Sequence, residues 1–170
     1  MTSLISNGVR DRYSLLSRHT DGLVVYALVD GFQYQQHFGR AIEAQENITR
    51  ALFAGTEDEP LAHAGPWIIA PSGAKRYGEE IVELEEILPS VLWLIVDTDM
   101  ETLATRLQSN LNRQLPDSSE VLLRFWDPRV FRSLIKSLDP SSRSSFFGHV
   151  TEWHFLHNGE RFYLNVHDHA

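Results

Sequence analysis

The feature that most constrains this chain is a series of short, uninterrupted apolar runs, each cut off by turn-forming residues. Leu23 to Val29 stops at Asp30-Gly31, Trp67 to Ala70 lies between Gly65-Pro66 and Pro71, and Leu92 to Val96 ends before Asp97. Runs of about four to eight residues fit strands and are too short to span a membrane as helices. Because they are apolar at every position, both faces of each strand should be buried, as in a sheet covered on two sides. Val121 to Trp126 is a further apolar run of this kind.

Helical patterns separate the runs. Ile48, Ala51 and Leu52 recur at helical spacing, with Gly55 as a stop, so a helix is expected over 39–54. Thr98 and Glu101 have the spacing of a capping box, and Leu103, Leu107 and Leu111 extend that helix to about Asn112. Asp127-Pro128 is a strong helix start: the carboxylate accepts from free amides, and the proline has no amide to leave unpaired. Val130, Phe131, Leu134, Ile135 and Leu138 then form an apolar face, with Arg129, Arg132, Ser133 and Lys136 on the outer one. At the end of the chain, Asn158-Gly159 between Thr151 to His157 and Phe162 to Val166 marks a hairpin.

Alternation of strands and helices predicts an α/β fold, with a mostly parallel sheet, flanking helices and a C-terminal β-hairpin. A length of 170 residues suits a single domain over 1–170 that buries about 70% of its unfolded surface. The segment 113–120, carrying Pro116-Asp117-Ser118-Ser119, is the best hinge and a candidate lobe boundary. Strand order is not readable from this pattern.

Composition narrows function. The chain has no cysteine, which removes disulfides, thiol nucleophiles and cysteine-ligated zinc, and suits a reducing cytoplasm. Met1 to Arg12 contains no stretch resembling a cleaved signal, so neither export by that route nor membrane insertion is expected. A net charge of -8 disfavours nucleic acid as a partner. Charge is uneven: eleven acidic and two basic residues lie between Glu57 and Glu101, against seven basic and four acidic between Thr102 and His149. Thirteen of the fifteen basic residues are arginine, the cation favoured in protein interfaces.

An ordered set of short blocks carries a resemblance. Tyr26-Ala27-Leu28-Val29-Asp30-Gly31, Leu52-Phe53, Gly65-Pro66-Trp67, Leu92-Trp93, Arg124-Phe125-Trp126-Asp127-Pro128-Arg129-Val130, Phe146-Phe147-Gly148 and Trp153 follow one another. Together they resemble the adaptor chaperones of the bacterial type VI secretion system called Tap or Tec, long filed as a domain of unknown function. The resemblance implies a cytosolic protein without cofactor or turnover. Its implied partners are a cognate secreted effector and the valine-glycine-repeat spike protein onto which the effector is loaded. Asp30, Gly31, Arg124, Asp127, Pro128 and Arg129 are the motif residues, expected to serve the fold.

Other chemistries compete with this reading. Asp30, Asp97 and Asp127 each end an apolar run, and in an open parallel sheet three such carboxylates would converge to hold magnesium for hydrolysis or phosphoryl transfer. Capping and turn roles account for the same aspartates and are preferred. His154, His157, His167 and His169 flank the hairpin, but alternating strand faces separate the first pair and no cysteine completes a metal set. His19, His37, His63 and His149 are isolated.

Docking has several candidates. Arg129, Arg132 and Lys136 form a basic stripe that is either a docking face for an acidic partner or a solvated surface. Glu79, Glu80, Glu83, Glu85 and Glu86 are preferred as a solvated helix face, with Ile81, Val82, Leu84, Ile87 and Leu88 inward. Arg124, inside an apolar run, is expected to pair with Asp30, Asp97 or Asp127, since an unpaired buried guanidinium is costly. For Trp67, Trp93, Trp126 and Trp153 inward packing is the default, although an exposed one would anchor a partner.

Overall fold

The structure is a computed structural model describing residues 5–114 and 117–167. Its frame is a six-stranded sheet in which the apolar runs lie at the centre. The strands are β1 (Val24–Asp30), β2 (Thr49–Ala51), β3 (Pro66–Ile69), β4 (Val91–Val96), β7 (Glu152–His157) and β8 (Glu160–Leu164), in the order β2-β3-β1-β4-β7-β8. A separate hairpin pairs β5 (Asn112–Gln114) with β6 (Glu120–Leu122).

The helices are α1 (Asn7–Ser17), α2 (Gly31–Phe38), α3 (Lys75–Ile87), α4 (Met100–Gln108), α5 (Pro128–Ser137) and α6 (Pro140–Phe147). They cover both faces of the sheet, and strict alternation along β1 and β4 divides the core in two. Tyr26, Leu28, Leu92, Leu94 and Val96 face Leu103, Phe131 and Phe147 of α4, α5 and α6. Val25, Ala27, Val29, Val91, Trp93 and Ile95 face Val9, Tyr34 and Ile81 of α1, α2 and α3.

This arrangement corrects the expected parallel sheet. Every observed pairing is antiparallel, with β1 flanked by β3 and β4, both running against it. Burial on two faces was correctly anticipated, but it reports helical cover and not strand direction. Antiparallel strands under two helical layers give the same continuous apolar runs as parallel ones.

Three local expectations also change. Gly39 ends a helix instead of opening one: it adopts φ 74° and donates its N–H to the Gln35 carbonyl, closing α2. Part of the expected helix over 39–54 is strand, because Ile48 to Leu52 also suit a sheet edge, and Thr49–Ala51 pairs with β3. Asp99, one residue beyond the expected threonine, caps α4 by accepting from the Thr102 amide at 2.7 Å. The run Val121 to Trp126 is strand only in its first part; beyond Leu122 it turns into the buried Phe125-Trp126 pair ahead of α5.

The terminal hairpin forms as expected. Asn158 and Gly159 have φ of 52° and 77°, the two left-handed positions of a tight primed turn. The hinge segment 113–120 falls on the β5–β6 connection; Pro116 lies outside the described residues.

Candidate functional site

Antiparallel pairing brings the C-terminal end of β1, the N-terminal ends of β3 and β4 and the end of β7 to one end of the sheet. Most of the residues that carry the resemblance sit there. Asp30 caps α2, accepting from the Gln33 amide at 3.2 Å and from its side chain at 3.1 Å. Gly31 donates to the Gly65 carbonyl at 2.8 Å. A Cβ on Gly31 would lie 2.5 Å from the His63 carbonyl oxygen and 2.6 Å from that of Gly65, so no other residue fits without moving backbone.

Asp127 organises the neighbouring helix. Its carboxylate accepts from the Arg129 amide at 2.9 Å and holds the Arg129 guanidinium in a two-point pair at 3.0 and 2.8 Å. Burial acts to raise its pKa and is the largest influence. The Arg129 hydrogen bonds, with the charges of Arg129 and Arg124, outweigh it and set the pKa below the ordinary aspartate value. Arg124 reaches Asp30 at 3.8 Å and lies 6.0 Å from the Trp126 ring centroid. It finds one of its expected acidic partners, yet its side chain is 59% exposed and is no buried strand residue. Exposed Phe32, Leu61 and Ile87 add apolar surface to α2, to the turn at Glu59–Ala64 and to the end of α3. Ile87 was expected to point inward. A cleft of about 280 Å³ separates the end of α3 from the start of α5 and the Asn158-Gly159 turn, with Ile87, Pro89, Pro128 and Arg129 in its walls.

The rival carboxylate triad does not assemble. Val24 pairs with Val96 while Val29 pairs with Val91, so Asp97 leaves the sheet at the end opposite Asp30, about 20 Å away at a strand's rise per residue. The convergence assumed for Asp30, Asp97 and Asp127 required parallel strands.

His154 is fully buried with Nε2 3.0 Å from Glu152, whereas His157 sits at the turn and His167 is exposed; His169 lies outside the described residues. Among the described residues, no group of three or more His, Cys, Asp or Glu side chains comes together to hold a metal ion. His19, His37, His63 and His149 are exposed, and all four tryptophans are buried.

Along α5, Arg129 is occupied by Asp127, Arg132 is half-buried and Lys136 is exposed. Among the described residues neither Arg132 nor Lys136 has an ion-pair partner. The glutamate run on α3 splits: Glu79, Glu83 and Glu86 are exposed, while Glu80 and Glu85 are buried.

Glu80 accepts from Tyr34 at 2.6 Å and pairs with Arg40 and Arg76; Glu85 accepts from the Trp93 indole at 2.8 Å and pairs with Arg161. Glu152, on β7, pairs with Arg12 and accepts from Asn165 at 3.1 Å. Burial raises the Glu152 pKa most strongly, but hydrogen bonds from His154, Arg12 and Asn165 and the Arg12 charge bring it down to about 2. These pairs escaped the sequence reading; the arginine bias was their only trace.

One end of the sheet thus carries a capped ion-pair cluster beside exposed apolar residues. A family model described as "Domain of unknown function (DUF4123)" matches residues 25–145, and the chain belongs to that family. Membership agrees with the resemblance to the type VI adaptor chaperones and supports a general adaptor or chaperone role. No curated protein and no solved structure matches the chain. Among the described residues no helix is long and apolar enough to cross a membrane.

Proposed function

We propose that the chain is a cytoplasmic adaptor chaperone that binds a type VI secretion effector and helps load it onto the valine-glycine-repeat spike protein. The observation that carries this reading is the meeting of the shared blocks at one end of the sheet. There Asp30, Arg124, Asp127 and Arg129 fix the starts of two helices and leave guanidinium groups and apolar side chains facing solvent. Such a surface suits equilibrium binding, in which the adaptor stabilises the partner state it recognises by mass action.

The α5 stripe is the docking face in this reading. Among the described residues no carboxylate pairs with Arg132 or Lys136, so an acidic partner surface would pair with them without first breaking a salt bridge of that set. Charge reversal in an interface costs up to several kcal/mol, whereas the same change on a free surface is nearly silent. The test is co-purification of the double variant Arg132→Glu, Lys136→Glu with its cognate effector and spike, beside a circular dichroism melt. Weakened capture with an unchanged melt supports docking on α5. Unchanged capture of both partners removes the stripe from the site, and recovery of neither partner by the wild-type chain sinks the adaptor reading.

A further inference from the structure

The two outer edges of the sheet are unlike. One is β2, only three residues long, with its neighbouring chain folded against it through the Gln45–Thr49 bridge. The other is β8, five residues with the sequence Glu-Arg-Phe-Tyr-Leu, lacking the proline or lysine that usually blunts an edge. Phe162 and Tyr163 on it are 37% and 47% exposed.

Hairpin geometry fixes which backbone groups of β8 are free. His157 and Glu160 flank a two-residue turn and form the hydrogen-bonded pair that closes it, so Phe162 and Leu164 also bond to β7. The N–H and C=O of Arg161 and Tyr163 therefore point away from the sheet. Among the described residues no backbone hydrogen bond other than those to β7 reaches Glu160–Leu164. Among the described residues beyond β8, Asn165 turns back to Glu152 and Val166 lies against Gly148.

We propose that β8 is a self-pairing edge, through which two copies of this chain join antiparallel about a twofold axis at Phe162. The alternation of β8 fits its own image. In that register Arg161 of each copy faces Tyr163 of the other, and these are the residues whose backbone groups point outward, so both find partners. Phe162 meets its symmetry mate in the close, non-hydrogen-bonded position where aromatic pairs sit nearest, and Glu160 faces Leu164. No like charges stand opposite one another. Strand pairing over five residues makes a small interface, so association depends on concentration. This inference is independent of the adaptor reading.

The experiment is light scattering on the full chain between roughly 1 and 100 µM, where a weak dimer would pass from the mass of one chain to that of two. Phe162→Lys and Phe162→Glu should each give monomers throughout, and an equimolar mixture should restore the dimer, because lysine then faces glutamate across the axis. Amide exchange in the wild-type chain supplies a second measurement that needs no variant. Arg161 and Tyr163 amides should exchange at least tenfold more slowly at the higher concentration, while those of Phe162 and Leu164 are protected at both. A monomer at 100 µM, or a dimer that survives both substitutions, overturns the proposal. Protection of Arg161 and Tyr163 in the dilute monomer does so too, since the chain's own terminal segments would then cover the edge.

Discussion

The ion pairs of the α1/α3 side and those at the Asp30 end of the sheet use the same residue types for opposite ends. Glu80, Glu85 and Glu152 are buried, and each is surrounded by an arginine and a neutral donor from Tyr34, Trp93 or Asn165. Asp30 and Asp127 are buried too, but their arginines, Arg124 and Arg129, stand largely in water. In the first group, Glu85 and Glu152 have arginines that are themselves mostly buried, so removing the cation strands a carboxylate away from solvent. In the second, water takes the place of the cation, so the charges are available to a partner at little cost to the fold.

The sharpest way to break this contrast is Arg12→Ala, which leaves Glu152 without its cation. We expect a loss of about 3–5 kcal/mol in chemical denaturation, the range for uncompensated buried charges. Acid should separate the regions next. Glu152 has a folded pKa of about 2 against 4.5, so its contribution is complete above pH 4.5 and is lost as pH falls from there toward 2. Acid-unfolding curves should show that window in the wild-type chain, with a smaller pH dependence in Arg12→Ala. A variant with the same acid dependence as wild type would place the decisive carboxylate elsewhere.

At the Asp30 end the effects shrink. Asp127→Ala should cost about 0.5–2 kcal/mol by loss of the α5 cap, read as a lowered midpoint in urea. Partner binding should fall only in step with unfolding; a variant of undiminished stability that no longer binds would give Asp127 a direct role. Arg124→Ala should change stability by less than about 1 kcal/mol, as for other exposed pairs. A larger loss would show that Arg124 belongs with the buried group.

How much of this was legible follows from what each signal reports. Asp127-Pro128 and Asn158-Gly159 were readable because a cap and a primed turn are set by residues adjacent in sequence. Burial of β1, β3 and β4 was readable from unbroken apolar runs. Strand direction was not, since both faces are covered in either case, and the assumption of parallel strands produced a triad that Asp97 cannot join. The buried carboxylates were hidden for another reason. Glu80 and Glu85 sit in a run that looks like a wetted helix face, and Arg40, Arg161 and Arg12 approach from distant segments.

That last separation has a consequence for how the chain is made. Arg12 and Glu152 stand 140 positions apart. At the usual pace of synthesis, about 5–20 residues per second, Arg12 is polymerised roughly 7 to 28 s before its carboxylate partner. During that interval Val9, Tyr13 and Leu16, the side chains with which α1 packs on the sheet, have only part of their final surroundings. Closure of the fold thus waits for the last hairpin, and a nascent chain stalled before residue 152 would hold its first helix without the ion pair that fastens it.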